Sequence, residues 1–218
     1  MTPTLTPELL LKAYASGVFP MAEARDDPNL FWLAPKARCI LPLDGFHVPR
    51  RLARTVRQDR FRVTVDDDFG GVIRACAETR AHRHGTWISH VIVDLYEGLH
   101  DLGHAHSIEC RDPAGTLVGG LYGVSLGAVF FGESMFSKNR DASKVALVHL
   151  VARLRRGGYR LLDAQFMTEH LRQFGAVEIS RDLYHRRLAE AVTQAADFYC
   201  LPDSVAGRGI LQLVTQTS

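Results

Sequence analysis

The feature that most limits what this chain can fold into is a change of hydrophobic period at Gly103. After it the helical spacing of the preceding segment gives way to HSIEC and then TLVGGLYGVSLGAVFFGES. Alternation of this kind, broken by turn residues at Asp112-Pro113-Ala114-Gly115 and Ser125-Leu126-Gly127, predicts three short antiparallel strands. Asp141-Ala142-Ser143 then opens an amphipathic helix through Leu147, Leu150, Val151 and Leu154, which Gly157-Gly158 ends. Residues 159–166 return as a strand, a helix follows Thr168, and residues 177–179 form a last strand. Strands interleaved with helices in this order predict an α+β core.

Upstream the chain reads differently. Thr6-Pro7-Glu8 before Leu9, Leu10, Ala13 and Tyr14 predicts a capped helix that Gly17 stops. Residues 18–49 are rich in Pro and short apolar pieces such as Leu30-Phe31-Trp32-Leu33, which predicts a small, strand-poor lobe. A domain boundary is expected near residue 40, giving domains of 1–40 and 41–218. A helix over residues 50–62 would carry Arg50, Arg51, Arg54 and Arg57 as a basic stripe beside apolar Leu52 and Val56. Such a stripe is either a solvated face or a phosphate-binding surface. Residues 61–65 alternate as a strand, and the acids Asp66, Asp67 and Asp68 read as structural groups at a helix start, favoured by its dipole. A further helix is expected over 90–102.

Composition excludes several classes. With 46% apolar and 23% charged residues, and no apolar run near the ~20 residues a bilayer requires, the chain reads as a globular, cytoplasmic protein with no membrane partner. The residues after Met1 lack the basic start of a signal peptide. Four dispersed cysteines form no C-x-x-C pair and read as buried thiols. His104-x-His106 would place two imidazoles on one face of a strand, but Glu109 would point to the other, so no metal site is expected. His82 and His84 read as exposed loop residues. Ser134 and Ser137 lack the G-x-S-x-G elbow of a nucleophilic hydrolase. Asp163 and Gln165, two apart on a strand among apolar neighbours, can face one cleft, where Asp163 is either catalytic or satisfied by a structural ion pair. Gly119-Gly120 and Gly132 within strands point to a bulge or a close approach at the same cleft.

Seven segments, in order, carry a resemblance: Ala13-Tyr14 with Gly17-Val18-Phe19-Pro20; Gly85-Thr86-Trp87-Ile88; LGHAHSIE over 102–109; LVGGLYGV over 117–124; GESMFS over 132–137; Ala142-Ser143-Lys144; and Asp163-Ala164-Gln165. Together they make the chain, from residue 9 to 187, similar to the leucyl/phenylalanyl-tRNA–protein transferase family. The resemblance implies a small N-terminal domain followed by a GCN5-related N-acetyltransferase-like domain, with neither metal nor acetyl-CoA as cofactor. It also implies transfer of Leu or Phe, less readily Met, from aminoacyl-tRNA to proteins or peptides that begin with Arg or Lys, marking them for N-degron degradation. DNA is not an implied partner.

By the same resemblance Asp163 acts with Gln165 on the acceptor's α-ammonium, and Glu133 binds the donor's amino group or the acceptor's basic end. A substrate pocket is expected from Leu121, Phe130 and Phe131 with Ser134 and Met135. Trp87 either stacks on the terminal adenosine or packs in the core. The arginine stripe becomes a surface for tRNA phosphates. Two departures stand out: Met21 where members often carry Trp, and Leu121 where a Met is expected. Two other classes fit single features, an acetyl-CoA-dependent N-acetyltransferase and a noncatalytic RNA-binding module, but neither accounts for the ordered segments.

Overall fold

A computed structural model describes residues 5–78, 85–202 and 205–215. His82 and His84 lie outside the described residues. In chain order the elements are α1 (Pro7–Ala15), β1 (Phe19–Met21), β2 (Phe31–Leu33), β3 (Ala37–Ile40), α2 (Arg50–Arg57), β4 (Arg62–Val65), α3 (Phe69–Ala77), α4 (His90–Asp101), β5 (Ala105–Arg111), β6 (Leu117–Leu126) and β7 (Val129–Ser137). They continue with α5 (Ala142–Arg156), β8 (Leu161–Gln165), α6 (Glu169–Arg172), β9 (Val177–Ser180), α7 (Arg181–Val192) and α8 (Gly207–Thr215). The protein is of α+β class. Seven strands form one sheet in the order β4-β5-β6-β7-β8-β3-β9, and β1 pairs with β2 apart from it.

Within the large sheet the β7–β8 pair is parallel and the other pairs are antiparallel. Parallel neighbours need a crossover between them, and α5 supplies it. Both faces of the sheet are covered. On one side α2, α5 and α8 contribute Leu52, Val56, Leu147, Leu150, Val151 and Ile210. On the other, α1, α3, α4 and α7 contribute Leu10, Tyr14, Val72, Ile92, Tyr96 and Tyr184. Gly119 makes the first of these layers possible: a Cβ there would lie 2.4 Å from that of Ala142, so only glycine lets the start of α5 settle on β6.

The local signals act largely as expected. Thr6 caps α1 by accepting from the Leu9 N–H, and Gly17 leaves the helix at φ +77. The three acids divide their work, which corrects the expectation that the helix dipole explains them all. Asp68 alone caps α3, accepting from the Gly71 N–H. Asp66 instead accepts from the Ser107 N–H at 2.6 Å and lies 2.8 Å from His106 Nδ1, while Asp67 pairs with Arg111. Their lateral partners on β5 could not be read from spacing along the chain. Two helices, α7 and α8, carry no expectation from the sequence, and residues 37–40 join the main sheet rather than an irregular lobe. Among the described residues no helix is long and apolar enough to cross a membrane.

Candidate active site

The site forms where β7 and β8 stop pairing. Their parallel ladder runs from Val129 and Leu161 to Phe131 and Asp163 and ends there. Immediately beyond, β7 shifts register against β6: Gly123 faces Gly132, yet Tyr122 faces Ser134, so Glu133 is the extra residue of a bulge. A bulge bends its strand and re-aims the side chain it carries. A pocket of about 560 Å³ opens here, with Gly132, Glu133, Ser134 and Met135 from β7 and Asp163, Ala164 and Gln165 from β8 in its lining. Leu147 and Leu150 of α5 line it from one helical layer, Ala75 and Cys76 of α3 from the other.

Asp163 has no exposed surface, and its oxygens are fully engaged. The Arg38 guanidinium donates to both of them, through Nε at 2.9 and 3.0 Å and through Nη2 at 2.6 Å. The Tyr184 hydroxyl adds a bond at 2.8 Å and the Gln165 N–H another at 2.9 Å. Arg38 is only 2% exposed, and it is clamped with its Cζ 4.6 Å from the centres of the Phe19 and Tyr184 rings. A buried ion pair holds only when its remaining hydrogen-bond capacity is met, and here it is met by protein groups. The bond to the Gln165 N–H has a geometric result: Gln165 adopts φ +53, a left-handed backbone that a non-glycine residue keeps only when held.

So held, Gln165 donates from Nε2 to Glu133 Oε1 at 3.0 Å. Glu133 also accepts from Tyr14 at 2.8 Å and from Tyr96 at 3.2 Å, and those two phenols touch each other. Burial pushes the Glu133 carboxyl up to about 7, against the opposing pull of the Tyr14 hydroxyl. Burial, and then the neighbouring Glu133, push both phenols well above their usual range. A carboxyl that changes charge near neutral pH, on the wall of an apolar pocket, can hold an ammonium group or take a proton from one.

The structure gathers Asp163, Gln165, Glu133, Trp87, Leu121, Ser134 and Met135 around this pocket. Met21 joins them. Phe130 and Phe131 do not, which corrects the expected pocket. Both are completely buried: Phe130 stacks on Phe198, and Phe131 packs against Tyr14 on the opposite face of the sheet. They precede the bulge, where β7 is still paired on both sides. Leu147, Leu150 and Leu162 provide apolar wall instead. Sequence reasoning also missed Arg38, Tyr14, Tyr96 and Tyr184 as site groups. A usable signal existed for Arg38, a lone cation inside the otherwise core-like run Ala37-Arg38-Cys39-Ile40.

Arg50, Arg51, Arg54 and Arg57 are all exposed on α2. None enters an ion pair found among the described residues. The first two occupy the helix N-terminus, which has no acid in its first turn and no side-chain cap. Cations there oppose the helix dipole, so helix stability does not account for them.

Comparison with known proteins agrees with the segments above. The family described as leucyl/phenylalanyl-tRNA protein transferase matches residues 40–189, and its N-terminal domain matches residues 4–36. The leucyl/phenylalanyl-tRNA–protein transferase of Maricaulis maris is 61% identical over 211 residues, 97% of each chain. That of Rhodopseudomonas palustris strain HaA2 is 58% identical, covering 96% of this chain and 94% of the relative. Among solved structures, L-PGS from Bacillus licheniformis aligns with a TM-score of 0.47 and 11% identity over 86% of this chain and 70% of its own. With nearly its whole length matched at such identity, the chain belongs to the leucyl/phenylalanyl-tRNA–protein transferase family.

Proposed function

We propose that this aminoacyltransferase moves Leu or Phe, and less readily Met, from aminoacyl-tRNA to the N-terminal Arg or Lys of an acceptor protein. The observation that carries this reading is the pocket at the β7–β8 split, apolar on its walls, with Glu133 and Gln165 together at its polar edge. The donor is an ester and the product an amide, so this step runs downhill without ATP. Its barrier falls chiefly because an amine and an ester carbonyl are held in attack geometry, an effect worth at best roughly 7–11 kcal/mol.

In this reading Asp163 orients. Its lone pairs are spent on Arg38, Tyr184 and the Gln165 N–H, and its work is to fix the turn of Gln165. Gln165 gives its amide hydrogen to Glu133, which leaves the carboxamide oxygen to accept from the incoming amine. Leu121, Met135, Leu147 and Leu150 receive the donor side chain, and Trp87 with Met21 faces the terminal adenosine. Stacking of a base on an aromatic face contributes about 1–3 kcal/mol. The exposed arginines of α2 take acceptor-stem phosphates, a contact indifferent to sequence. A small N-terminal domain and a transfer domain divide near residue 40, with β3 serving the sheet of the second. The reaction belongs to the cytoplasm, where its product is marked for N-degron degradation.

The test is incubation with radiolabelled Leu-tRNA and peptides beginning with Arg, Lys or Ala. Label is expected on the first two and not the third. Firm binding of CoA without transfer, or RNA binding without transfer, overturns the reading.

A further inference from the structure

Three polar groups at the pocket edge close into a ring. Tyr14 Oη lies 2.8 Å from Glu133 Oε1, Tyr96 Oη lies 3.2 Å from Glu133 Oε2, and the two phenol oxygens contact one another. Both tyrosines are entirely buried. Each oxygen-to-oxygen contact needs one hydrogen between its atoms, and the groups bring a fixed number. A phenol carries one, and an ionised carboxylate carries none. With Glu133 ionised, two hydrogens serve three contacts, and one contact sets lone pair against lone pair out of reach of water. With Glu133 as the acid, every contact is served: Glu133 donates to Tyr96, Tyr96 to Tyr14, and Tyr14 back to Glu133. Gln165 Nε2 still donates to Oε1.

Among the described residues the surroundings offer no spare cation to stabilise the ionised form. Asp163 of β8 opposes a second negative charge here, and Arg38 of β3 is committed to it. Tyr184 of α7 also bonds Asp163, α1 and α4 present the two phenols, and Gln165 of β8 is neutral. We propose that Tyr14, Tyr96 and Glu133 form a ring that stores one proton in the ligand-free enzyme and releases it when an ammonium group docks on Glu133 from the pocket.

The ammonium group is the donor's or the acceptor's α-amino group, an identity that rests on the transfer reading above. On docking, the Glu133 O–H bond breaks, its proton passes to solvent, and the carboxylate pairs with the intact ammonium. If the ammonium is the acceptor's, the carboxylate next takes one of its protons, which restores the ring and frees the nitrogen lone pair. That nitrogen bonds to the ester carbonyl carbon, the bond from that carbon to the ribose oxygen breaks, and the ribose oxygen leaves with a second amine proton. Tyr14 and Tyr96 are positioning residues in this scheme, acting through Glu133.

Two measurements on the full chain test it. In ligand-free protein carrying carboxyl-¹³C glutamate, the resonance that disappears in Glu133→Gln should titrate near neutrality. Tyr14→Phe and Tyr96→Phe should each move that midpoint, which a role in packing alone would not do. Glu133→Gln should fold, because its amide NH₂ donates to Tyr96 as the acid did. A Glu133 signal already fully ionised at pH 5.5, or a midpoint untouched by both tyrosine variants, overturns the ring. Should Glu133→Gln not fold, Glu133→Asp identifies the signal instead, because the aspartate carboxyl carries no label.

The second measurement is calorimetry at pH 6 in buffers of different ionisation heat. Binding should release close to one proton per molecule of an Arg-leading peptide, or of a leucyl-adenosine analogue with a free α-amino group, and none with N-acetylated forms. Whichever free-amine ligand releases the proton is the one that meets Glu133. Binding by both without release overturns the proposal. If neither binds, the transfer reading itself fails, and the ligand-free titration alone decides whether the ring holds its proton.

Discussion

Glu109 on β5 and Glu133 on β7 are both carboxylates held by hydroxyl groups, the first wholly buried and the second half-buried on the pocket wall, and they have opposite surroundings. Glu109 has no exposed surface and accepts from Thr64 at 2.8 Å and Ser107 at 2.5 Å. Burial raises its affinity for a proton, as it does for Glu133. But Glu109 sits in an uninterrupted stretch of ladder opposite Gly120, whereas Glu133 is the unmatched residue of a bulge beside a pocket. The comparison separates two contributions to an active carboxyl. Burial and hydroxyl donors set its proton affinity; an interruption of the strand gives it something to act on.

The strongest way to break this comparison uses Asp163, the buried carboxylate with a full counter-charge. Asp163→Asn leaves Arg38 charged and unmatched in the core, and breaking one partner of such a pair costs about 3–5 kcal/mol. Urea denaturation should show that loss, and Arg38→Met in the same chain should recover part of it. An unchanged midpoint would mean the pair contributes nothing to the fold.

The next largest effect distinguishes the two glutamates directly. Glu133→Gln should lower transfer by about 10²–10⁴, the usual range for a group that handles a proton in the reaction. Glu109→Gln should leave the transfer rate of the folded enzyme as it was. Stability should separate them too. A folded-state value of about 7 against the ordinary 4.5 means the native protein keeps a proton that the unfolded chain has lost. Wild-type stability therefore falls as pH rises from about 4.5 to about 7, and this contribution is flat above that. The melting temperature of Glu133→Gln minus that of wild type should climb across that window and then level off.

Cations allow a smaller version of the same comparison. Arg153 is buried and donates to the carbonyls of Phe198, Leu201 and Pro202, while the arginines of α2 face solvent. Replacing Arg50, Arg54 and Arg57 together should leave melting nearly unchanged and weaken tRNA binding. The slope of log K against log salt should fall by about 0.7–0.9 for each phosphate the variant no longer neutralises. An unaltered slope would make the stripe an ordinary solvated face.

The smallest expected change concerns the apolar wall. Leu121→Ala should lower the overall rate and shift preference from Leu toward Phe, within the roughly 1–3 kcal/mol that apolar pockets discriminate. The ratio of kcat/KM for the two charged tRNAs reports it. A constant ratio would place Leu121 away from the donor side chain.

Local chemistry explains how much of this was legible beforehand. Caps, turn residues and periods are written within a few positions of one another, so α1, the antiparallel β5, β6 and β7, and α5 could be read directly. The seven ordered segments brought Asp163, Gln165 and Glu133 into view together. What escaped depends on register between distant strands. No spacing announces that Ile40 lies opposite Asp163, which is what carries Arg38 to it. Nor does FFGES state where one extra residue enters, and Phe130 and Phe131 were both assigned to the pocket although the pleat sends adjacent residues to opposite faces. α7 was missed because its charged run outweighs a narrow buried stripe of Tyr184, Leu188 and Ala191.

The bulge at Glu133 also sets what kinds of genetic change this enzyme can absorb. Before it, odd-numbered Phe131 packs on the layer that holds Tyr14; after it, odd-numbered Met135 packs on the layer that holds α5. Loss of one codon elsewhere in β7 would turn the residues beyond it inside out, whereas loss of Glu133 itself would leave Ser134 opposite Tyr122 and Met135 opposite Leu121 and remove the bulge and its carboxyl together. Point mutations can explore this stretch one side chain at a time, but insertions and deletions can accumulate only where no pleat is counted, as in the turn over residues 112–116.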